Sequence, residues 1–336
     1  MSVAAINARA AIRREIGGVE RVAREMALWL PRVSPGRYRV IAPRPALAHR
    51  RGQVWEQLAL PALARGSGAL LCPANLAPVA GRRNVVMLHD VAPFLGDWYG
   101  SVYGNWHRLL LPRIARGALR LIAPSETVRG QLVERLGADP KRTRVIPLGV
   151  DPGFGRAADP EHARARYGLE RPYVLAVGSD LPRKNFALLD RLAGPLRSEG
   201  LDVVLAGTGR SYMQGGDYAT RVLDYVEDGD LPGLYAGAAV FAMPSLYEGF
   251  GLPCLEAMAC GTPVVASTSA ALPESCGEGA LFADPHDPEA FAEALIRAAT
   301  DPAERSRLVA AGHERAASLT WERTARAVDA VIGELL

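Results

Sequence analysis

The 336-residue chain is short of several things that would settle its class at once. No apolar run approaches the roughly 18 to 20 residues of a membrane-spanning helix. The opening M-S-V-A-A-I-N-A-R has no signal-peptide layout, so a cytoplasmic location is expected. Cysteine is scarce. Cys72, Cys254, Cys260 and Cys276 show neither Cys-x-x-Cys nor Cys/His ligand spacing, which leaves buried free thiols rather than a disulfide framework or a zinc site. No Gly-x-Gly-x-x-Gly opens a helix, and Gly207-Thr208-Gly209 lacks the third glycine three residues on, which argues against an NAD-dependent oxidoreductase. No internal repeat or low-complexity segment is visible.

What is present reads as globular. Hydrophobic residues make up 49% of the chain and the mean hydropathy is +0.03, compatible with two domains of about 150 residues each. The net charge of +3 conceals an asymmetry: residues 1–150 hold 23 Lys and Arg against 9 Asp and Glu, whereas the remainder holds 16 against 27. Arg9, Arg13, Arg14, Arg21, Arg24 and Arg32 crowd the first segment, and Arg113, Arg116 and Arg120 follow. A basic half attracts an anionic membrane surface or a phosphorylated acceptor; arginines decorating a solvated face would give the same count. A non-catalytic polyanion-binding protein would use this half alone.

Strand and helix alternate as in doubly wound sheets. Strands are expected at residues 3–6, 38–41, 69–72, 85–88 and 119–123, and again at 173–177, 203–206, 222–226, 240–243 and 264–266. Val19, Val22, Ala23, Met26, Ala27 and Leu30 fall at helical spacing, with Glu20, Arg21, Arg24 and Glu25 on the other face. Ser125 caps a helix that Gly137 ends. Residues 144–151 close the first half and the stretch to about residue 167 reads as linker. Residues 288–318 read as two helices, and Thr320-Trp321 starts a last one ending near Leu336.

The most informative stretch is P-S-L-Y-E-G-F-G-L-P-C-L-E-A-M-A-C-G, residues 244–261. Pro253 suits a first helical turn and Gly261 the position past the end, so the helix opens near Leu252. Gly249 and Gly251 let backbone amides approach a ligand, and the helix start favours an anion such as a diphosphate. Glu248 and Glu256 bracket this turn. Eight residues of helix rise about 12 Å, whereas a retaining hydrolase needs its carboxyl pair about 5 to 5.5 Å apart. They suit the two ends of one polar ligand better than a single acid/base pair.

This stretch resembles the signature of glycosyltransferase family 4, retaining enzymes of the GT-B fold, in which two glutamates separated by seven residues precede A-x-A-x-G-x-P-V-V. Here the chain runs Met258-Ala259-Cys260-Gly261-Thr262-Pro263-Val264-Val265 in the same register. The resemblance continues through V-L-A-V-G-S-D-L-P-R-K-N, where Arg183 and Lys184 follow the glycine turn at Gly178, through His89-Asp90 at the carboxyl edge of a strand, and through Gly17-Gly18 before the first helix. It implies an α/β fold of two Rossmann-like doubly wound domains facing across a cleft. Residues 1–155 would be the acceptor domain, joined by a C-terminal helix at 320–336, and residues 156–319 the nucleotide-sugar donor domain.

The resemblance also implies roles. Arg183 and Lys184 hold the leaving diphosphate beside the helix start at Leu252, Arg as a bidentate fork and Lys as a point charge. Glu248 and the amides of Phe250 and Gly251 hold the donor sugar, Glu256 the ribose hydroxyls, Val226 the base, and Gly17-Gly18 a phosphate. His89 faces the donor sugar, while Asp90 orients His89 or caps the next segment. Because Arg183 and Lys184 lie in a loop, their removal is expected to spare folding.

Asp228-Gly229-Asp230 spells the D-x-D of metal-dependent glycosyltransferases, but Asp230 reads here as a helix N-cap before Pro232, so neither metal nor cofactor is expected. The expected partners are a nucleoside-diphosphate sugar, a sugar or lipid-linked oligosaccharide acceptor and an anionic membrane at its inner face, with no nucleic acid. Family members often carry Asn at the position of Leu148 and Gly-Gly at Ala270-Ala271. The second departure, with W-E-Q at 55–57, is shared by some users of GDP-mannose and leans the reading toward a bacterial mannosyltransferase in polysaccharide biosynthesis. UDP-, ADP- and dTDP-sugars remain open.

Overall fold

The computed structural model describes residues 3–14, 17–49, 51–151, 153–156, 158–207, 220–223 and 226–336, and the side chains of residues 51 and 156 lie outside that description. The chain divides into two compact units, the first formed by Met1–Asp97, Ser101–Gly149 and Trp321–Leu336, the second by Trp98–Gly100 and Val150–Thr320.

The first unit runs β1 (Ala4–Asn7), α1 (Gly18–Val33), β2 (Tyr38–Ile41), α2 (Arg51–Leu63), β3 (Ala69–Cys72), β4 (Asn84–Met87), α3 (Ser101–Gly117), β5 (Arg120–Ala123), α4 (Glu126–Leu136) and β6 (Thr143–Val145). All strands pair parallel in the order β2-β1-β3-β4-β5-β6. β1, β3 and β4 are buried at every residue, as apolar runs covered by helices on both faces should be. Ser125 Oγ accepts from the Val128 N–H to start α4, and Gly137 closes it with φ 68°. In α1 the expected polar face is broken by Glu20, which is buried because it accepts from Arg13 and from the Gly17 N–H at the helix start.

The second unit runs α5 (Gly153–Arg156), α6 (Pro160–Tyr167), β7 (Tyr173–Val177), α7 (Phe186–Ser198), β8 (Asp202–Ala206), β9 (Arg221–Leu223), α8 (Leu231–Gly237), β10 (Val240–Met243), α9 (Leu252–Ala259), β11 (Val264–Ser267), α10 (Leu272–Cys276), β12 (Ala280–Ala283), α11 (Pro288–Thr300) and α12 (Pro302–Ser318). Its sheet is also parallel, ordered β12-β11-β10-β7-β8-β9. Leu188, Leu189 and Leu192 of α7 pack with Phe291 and Leu295 of α11 and Leu308 of α12 against β7, β8 and β10.

Three expectations change. The supposed linker contains α6, which Asp159 caps and Gly168 ends in the left-handed region. β6 and β12 were not foreseen as strands. The strand expected at 222–226 is β9 at Arg221–Leu223, and residues 224 and 225 lie outside the described residues.

The last helix, α13 (Trp321–Gly333), returns to the first unit and packs on α1. Trp321, Ala325, Val328 and Ile332 are buried on one face. Asp329 accepts from Ser34 Oγ at 2.8 Å, Arg37 Nη1 at 2.9 Å and Tyr38 Oη at 2.5 Å. Burial alone would raise the Asp329 pKa, but these donors hold it below the usual carboxylate range. Asp329→Ala should therefore cost about 2 kcal/mol of stability in urea unfolding. An unchanged midpoint would mean that the apolar face alone docks α13.

Candidate donor site

In each sheet the connections diverge at one point, between β1 and β3 in the first unit and between β7 and β10 in the second, and in open α/β sheets ligands bind outside the carboxyl ends of the strands at that point. In the second unit β7 leads to Gly178, whose N–H donates to the Ala206 carbonyl at 2.9 Å. A Cβ on Gly207 would stand 2.1 Å from the Gly178 oxygen, so two bare backbones meet here. The chain then makes a 3-10 turn at Pro182–Lys184, and Asn185 turns left-handed at φ 55° to start α7. Asn185 Nδ2 donates to the Pro244 and Pro285 carbonyls, both at 3.2 Å, and the Leu246 N–H donates to the Arg183 carbonyl at 2.7 Å. The loop after β7 is thus stitched to the loop after β10.

Glu248 is the hub of that junction. Its Oε1 accepts from Lys184 Nζ at 2.6 Å, Arg183 Nη1 at 3.0 Å and Ser245 Oγ at 3.0 Å. Arg183 Nη1 also donates to the Tyr247 carbonyl at 3.0 Å. Both Lys184 and Glu248 are buried. Burial pushes the Glu248 pKa up, but the adjacent Lys184 and Arg183 charges outweigh it and hold the carboxyl below its ordinary value. Burial lowers the Lys184 pKa, and the attraction of Glu248 offsets only part of that. This corrects the expectation of a loop whose cations could be removed without consequence for folding: the cations neutralise a buried carboxylate.

α9 opens beside this hub. Gly251 sits at its start with φ 87°, and a Cβ there would come within 2.5 Å of Leu272 Cδ2, so only glycine fits. Pro253 lies in the first turn and Gly261 follows the end with φ 75°. Phe250 and Leu252 are buried around the turn, and the Ala271 N–H donates to the Glu248 carbonyl at 3.2 Å. Glu256 belongs to a separate set of contacts. It is buried within α9 and its Oε2 accepts from Tyr235 Oη at 2.9 Å. Val226 is buried too. Gly249 flanks Glu248, and Trp98 stacks on Tyr247 with ring centroids 6.2 Å apart.

Asp230 occupies the position before α8, yet its side chain makes no cap bond. It accepts from Tyr167 Oη at 2.8 Å and pairs with Arg166 at 2.8 Å, which corrects the expected helix capping. The carboxylate ties α8 to α6 instead, because those donors from α6 offer more than one backbone N–H.

The remaining candidates lie in the first unit. His89 follows β4 and is buried. Its Nε2 lies 2.7 Å from the Pro73 carbonyl and must donate, since a carbonyl only accepts. Nδ1 is therefore the acceptor nitrogen, and it is buried with no partner among the described residues. Burial lowers the His89 pKa, so the ring is neutral at pH 7. Asp90 Oδ1 accepts from the Ala92 N–H at 2.9 Å and caps the following turn. Gly17 gives its N–H to Glu20 Oε2 at 3.1 Å, which turns that amide inward; Gly18 is exposed, and residues 15 and 16 lie outside the described residues.

Sequence reasoning missed Ser245, Asn185 and Tyr235, whose roles depend on contacts across 3 to 100 positions of chain. It also missed the buried cluster at the end of β1, where Glu56 accepts from Asn7 Nδ2 at 2.6 Å and pairs with Arg9 at 2.9 Å.

Lys184→Met should destabilise the protein by about 3 kcal/mol, because it leaves Glu248 buried with one cation fewer, and Lys184→Met with Glu248→Gln should recover more than half of that loss. A double-mutant cycle in urea with no coupling would remove Glu248 from the hub. Glu248 has a folded pKa below its unfolded one, so its contribution is present above about pH 4.3 and is lost as pH falls through the folded value. Glu248→Gln should flatten the acid limb of stability below about pH 4.

Residues 63–154 match the family model described as Glycosyltransferase Family 4, and residues 171–301 that described as Glycosyl transferases group 1. Among similar curated proteins, a D-inositol 3-phosphate glycosyltransferase of Salinispora arenicola is 36% identical over 253 residues, covering 66% of this chain and 56% of that protein. The O-antigen chain mannosyltransferase B of Escherichia coli is 40% identical over 165 residues, covering 45% and 42%. The matches thus span roughly half the length of these relatives. Among solved structures, Anabaena HepE in complex with UDP-glucose aligns over the whole of both chains with a TM-score of 0.77 at 18% identity. Sucrose-phosphate synthase of Thermosynechococcus elongatus aligns over 100% of this chain and 99% of its own with a TM-score of 0.75 at 22% identity. With two parallel six-stranded sheets, this likeness in fold and the two family matches, one in each half, the chain belongs to glycosyltransferase family 4 and has the GT-B fold.

Proposed function

We propose that the protein is a retaining hexosyltransferase that moves a sugar, mannose in first place, from a nucleoside diphosphate, GDP in first place, to a glycan or lipid-linked acceptor in bacterial polysaccharide synthesis. The observation that carries this reading is the Arg183–Lys184–Glu248 hub beside the start of α9, at the point where the second sheet's connections diverge. One buried carboxylate balances one of two cations, which leaves the hub one positive charge for a diphosphate. Lys184 has three N–H donors and Glu248 takes one of them. The mannosyltransferase among the relatives supports the choice of sugar.

In the proposed reaction the bond between the sugar C1 and the phosphate oxygen breaks while the acceptor oxygen bonds C1 on the same face. The acceptor proton passes to the departing phosphate, so no protein base is required. Arg183, Lys184 and the α9 N-terminus stabilise the charge that grows on that phosphate. Glu248 Oε2, which none of the three donors above engages, accepts a sugar hydroxyl. In the first unit the Nδ1 of His89, without a partner among the described residues, is an acceptor for a substrate hydroxyl. Glu256 takes the ribose. No metal step is invoked, since Asp230 is already engaged by Arg166 and Tyr167.

Arg183→Ala should weaken nucleoside-diphosphate binding at least about tenfold in calorimetry, through loss of a charge-assisted contact. Unaltered affinity would reject the diphosphate assignment. Glu256→Gln should raise the donor KM more than it lowers kcat, whereas Glu248→Gln and His89→Ala should chiefly lower kcat. The opposite split in steady-state kinetics would exchange these roles. A thermal-shift screen should rank GDP above UDP, ADP and dTDP, and a different ranking would reassign the base.

Proton NMR of the product, formed with and without EDTA, should show the donor's anomeric configuration kept and activity retained. An inverted anomer, or activity lost to EDTA and restored by manganese, would overturn the mechanism.

A further inference from the structure

The outward faces of two helices in the first unit are apolar where a helix facing water should be polar. On α3 Val102, Trp106 and Leu109 are all exposed, Val102 by 83%. At spacings of four, three, four and three residues they form one continuous stripe with Arg113 and Arg116, also exposed, while Leu110, Leu111 and Ile114 face the core. On α2 Val54, Leu58 and Ala62 repeat every fourth residue and are exposed, Leu58 by 73%. Single exposed apolar residues are ordinary; stripes on two helices are not.

Topology puts both stripes on one side. α2 joins β2 to β3 and α3 joins β4 to β5, and both crossovers advance in the same direction along the order β2-β1-β3-β4-β5-β6, whereas α1 runs the other way. Right-handed crossovers therefore place α2 and α3 on one face of the sheet and α1 on the other. The exposed charge of these two helices is of one sign. α3 contains no Asp or Glu, and the only carboxylate of α2, Glu56, is buried against Arg9. Arg113 and Arg116 donate to the Leu109 and Pro112 carbonyls of their own helix, with no carboxylate partner among the described residues. Residues 1–150 as a whole carry 23 basic against 9 acidic side chains.

The geometry points to a peripheral-membrane surface: the outward faces of α2 and α3 seat on an anionic phospholipid bilayer, with Val54, Leu58, Val102, Trp106 and Leu109 entering the headgroup boundary and Arg113 and Arg116 meeting lipid phosphates. Tryptophan beside leucine on one stretch of a helix, continued by arginine and free of carboxylates, is the chemistry of the lipid interface. Charge decides between this partner and a second copy, since two surfaces with the same positive excess repel. No helix among the described residues is long and apolar enough to cross a membrane, so the attachment lies in the interface.

The test is flotation of the full chain with phosphatidylcholine vesicles, with and without about 30 mol % phosphatidylglycerol. The wild type should float with the anionic vesicles only and be released by high salt. Trp106→Gln with Leu109→Gln, and separately Arg113→Gln with Arg116→Gln, should each lower partitioning by about tenfold or more while leaving circular dichroism and nucleoside-diphosphate binding intact. Leu58→Gln, on the other helix, should lower it by about threefold and serves if the α3 variants misfold. A wild type that does not float, or variants that partition like it, would overturn the proposal. So would light scattering that shows a dimer dispersed by these substitutions, which would assign the face to a second copy.

Discussion

A carboxylate cannot stay ionised under cover without compensating charge, and the loops that follow β7 and β10 are arranged around that requirement. Glu248 is buried on the second of these loops, and the cations that keep it ionised come from the first. Everything nearby follows from bringing the two loops together. Gly178 and Gly207 let their backbones touch, Asn185 turns left-handed to aim its amide at Pro244, and Ser245 is drawn in as a third donor. The cost of desolvating three charged side chains is offset by their mutual contacts and by the Ser245 hydroxyl and Tyr247 carbonyl that complete them. An anionic ligand would then meet a site that is already assembled.

The two parallel sheets explain why such a hub can exist at all. Strands buried on both faces must be apolar, so polar chemistry is confined to the loops at their carboxyl ends. In the second unit the β7 and β10 ends supply the ionic hub. In the first, the equivalent position between β1 and β3 holds a different buried network of Asn7, Arg9 and Glu56, with His89 at the end of β4. The units share an architecture but place unlike chemistry at the same topological point.

Much of this was legible in the sequence because it is local. Apolar runs marked ten of the strands, Ser125 and Gly137 bounded α4, and Gly251-Leu252-Pro253 announced α9. β6, at three residues, is too short to carry a period, and α6 sits in a stretch whose prolines and glycines read as linker. Asp230 misled because helix capping is a local rule, while the donors that claim its carboxylate lie some 63 positions away. Glu20 misled in the same way, since an acidic residue on a polar face says nothing of an arginine folded back over it. The residues singled out for chemistry were visible as residue types. That Arg183, Lys184 and Glu248 hold one another could not be read before the loops met. Ala270 shows the reverse. Its departure from the family's glycine is visible in sequence, and its φ of 52° explains why glycine is common there.

The positive charge of this protein is almost wholly guanidinium. The chain has two lysines, Lys141 on the surface and Lys184 in the hub. Guanidinium does not lose its proton in any ordinary buffer, so the basic half keeps its charge into strong alkali, where a lysine-rich surface would fade. Amine-directed reagents such as acylating esters would meet Lys141 readily. At Lys184 they would first have to take the amine from Glu248, so covalent labelling at that position would report on the integrity of the hub rather than on the surface.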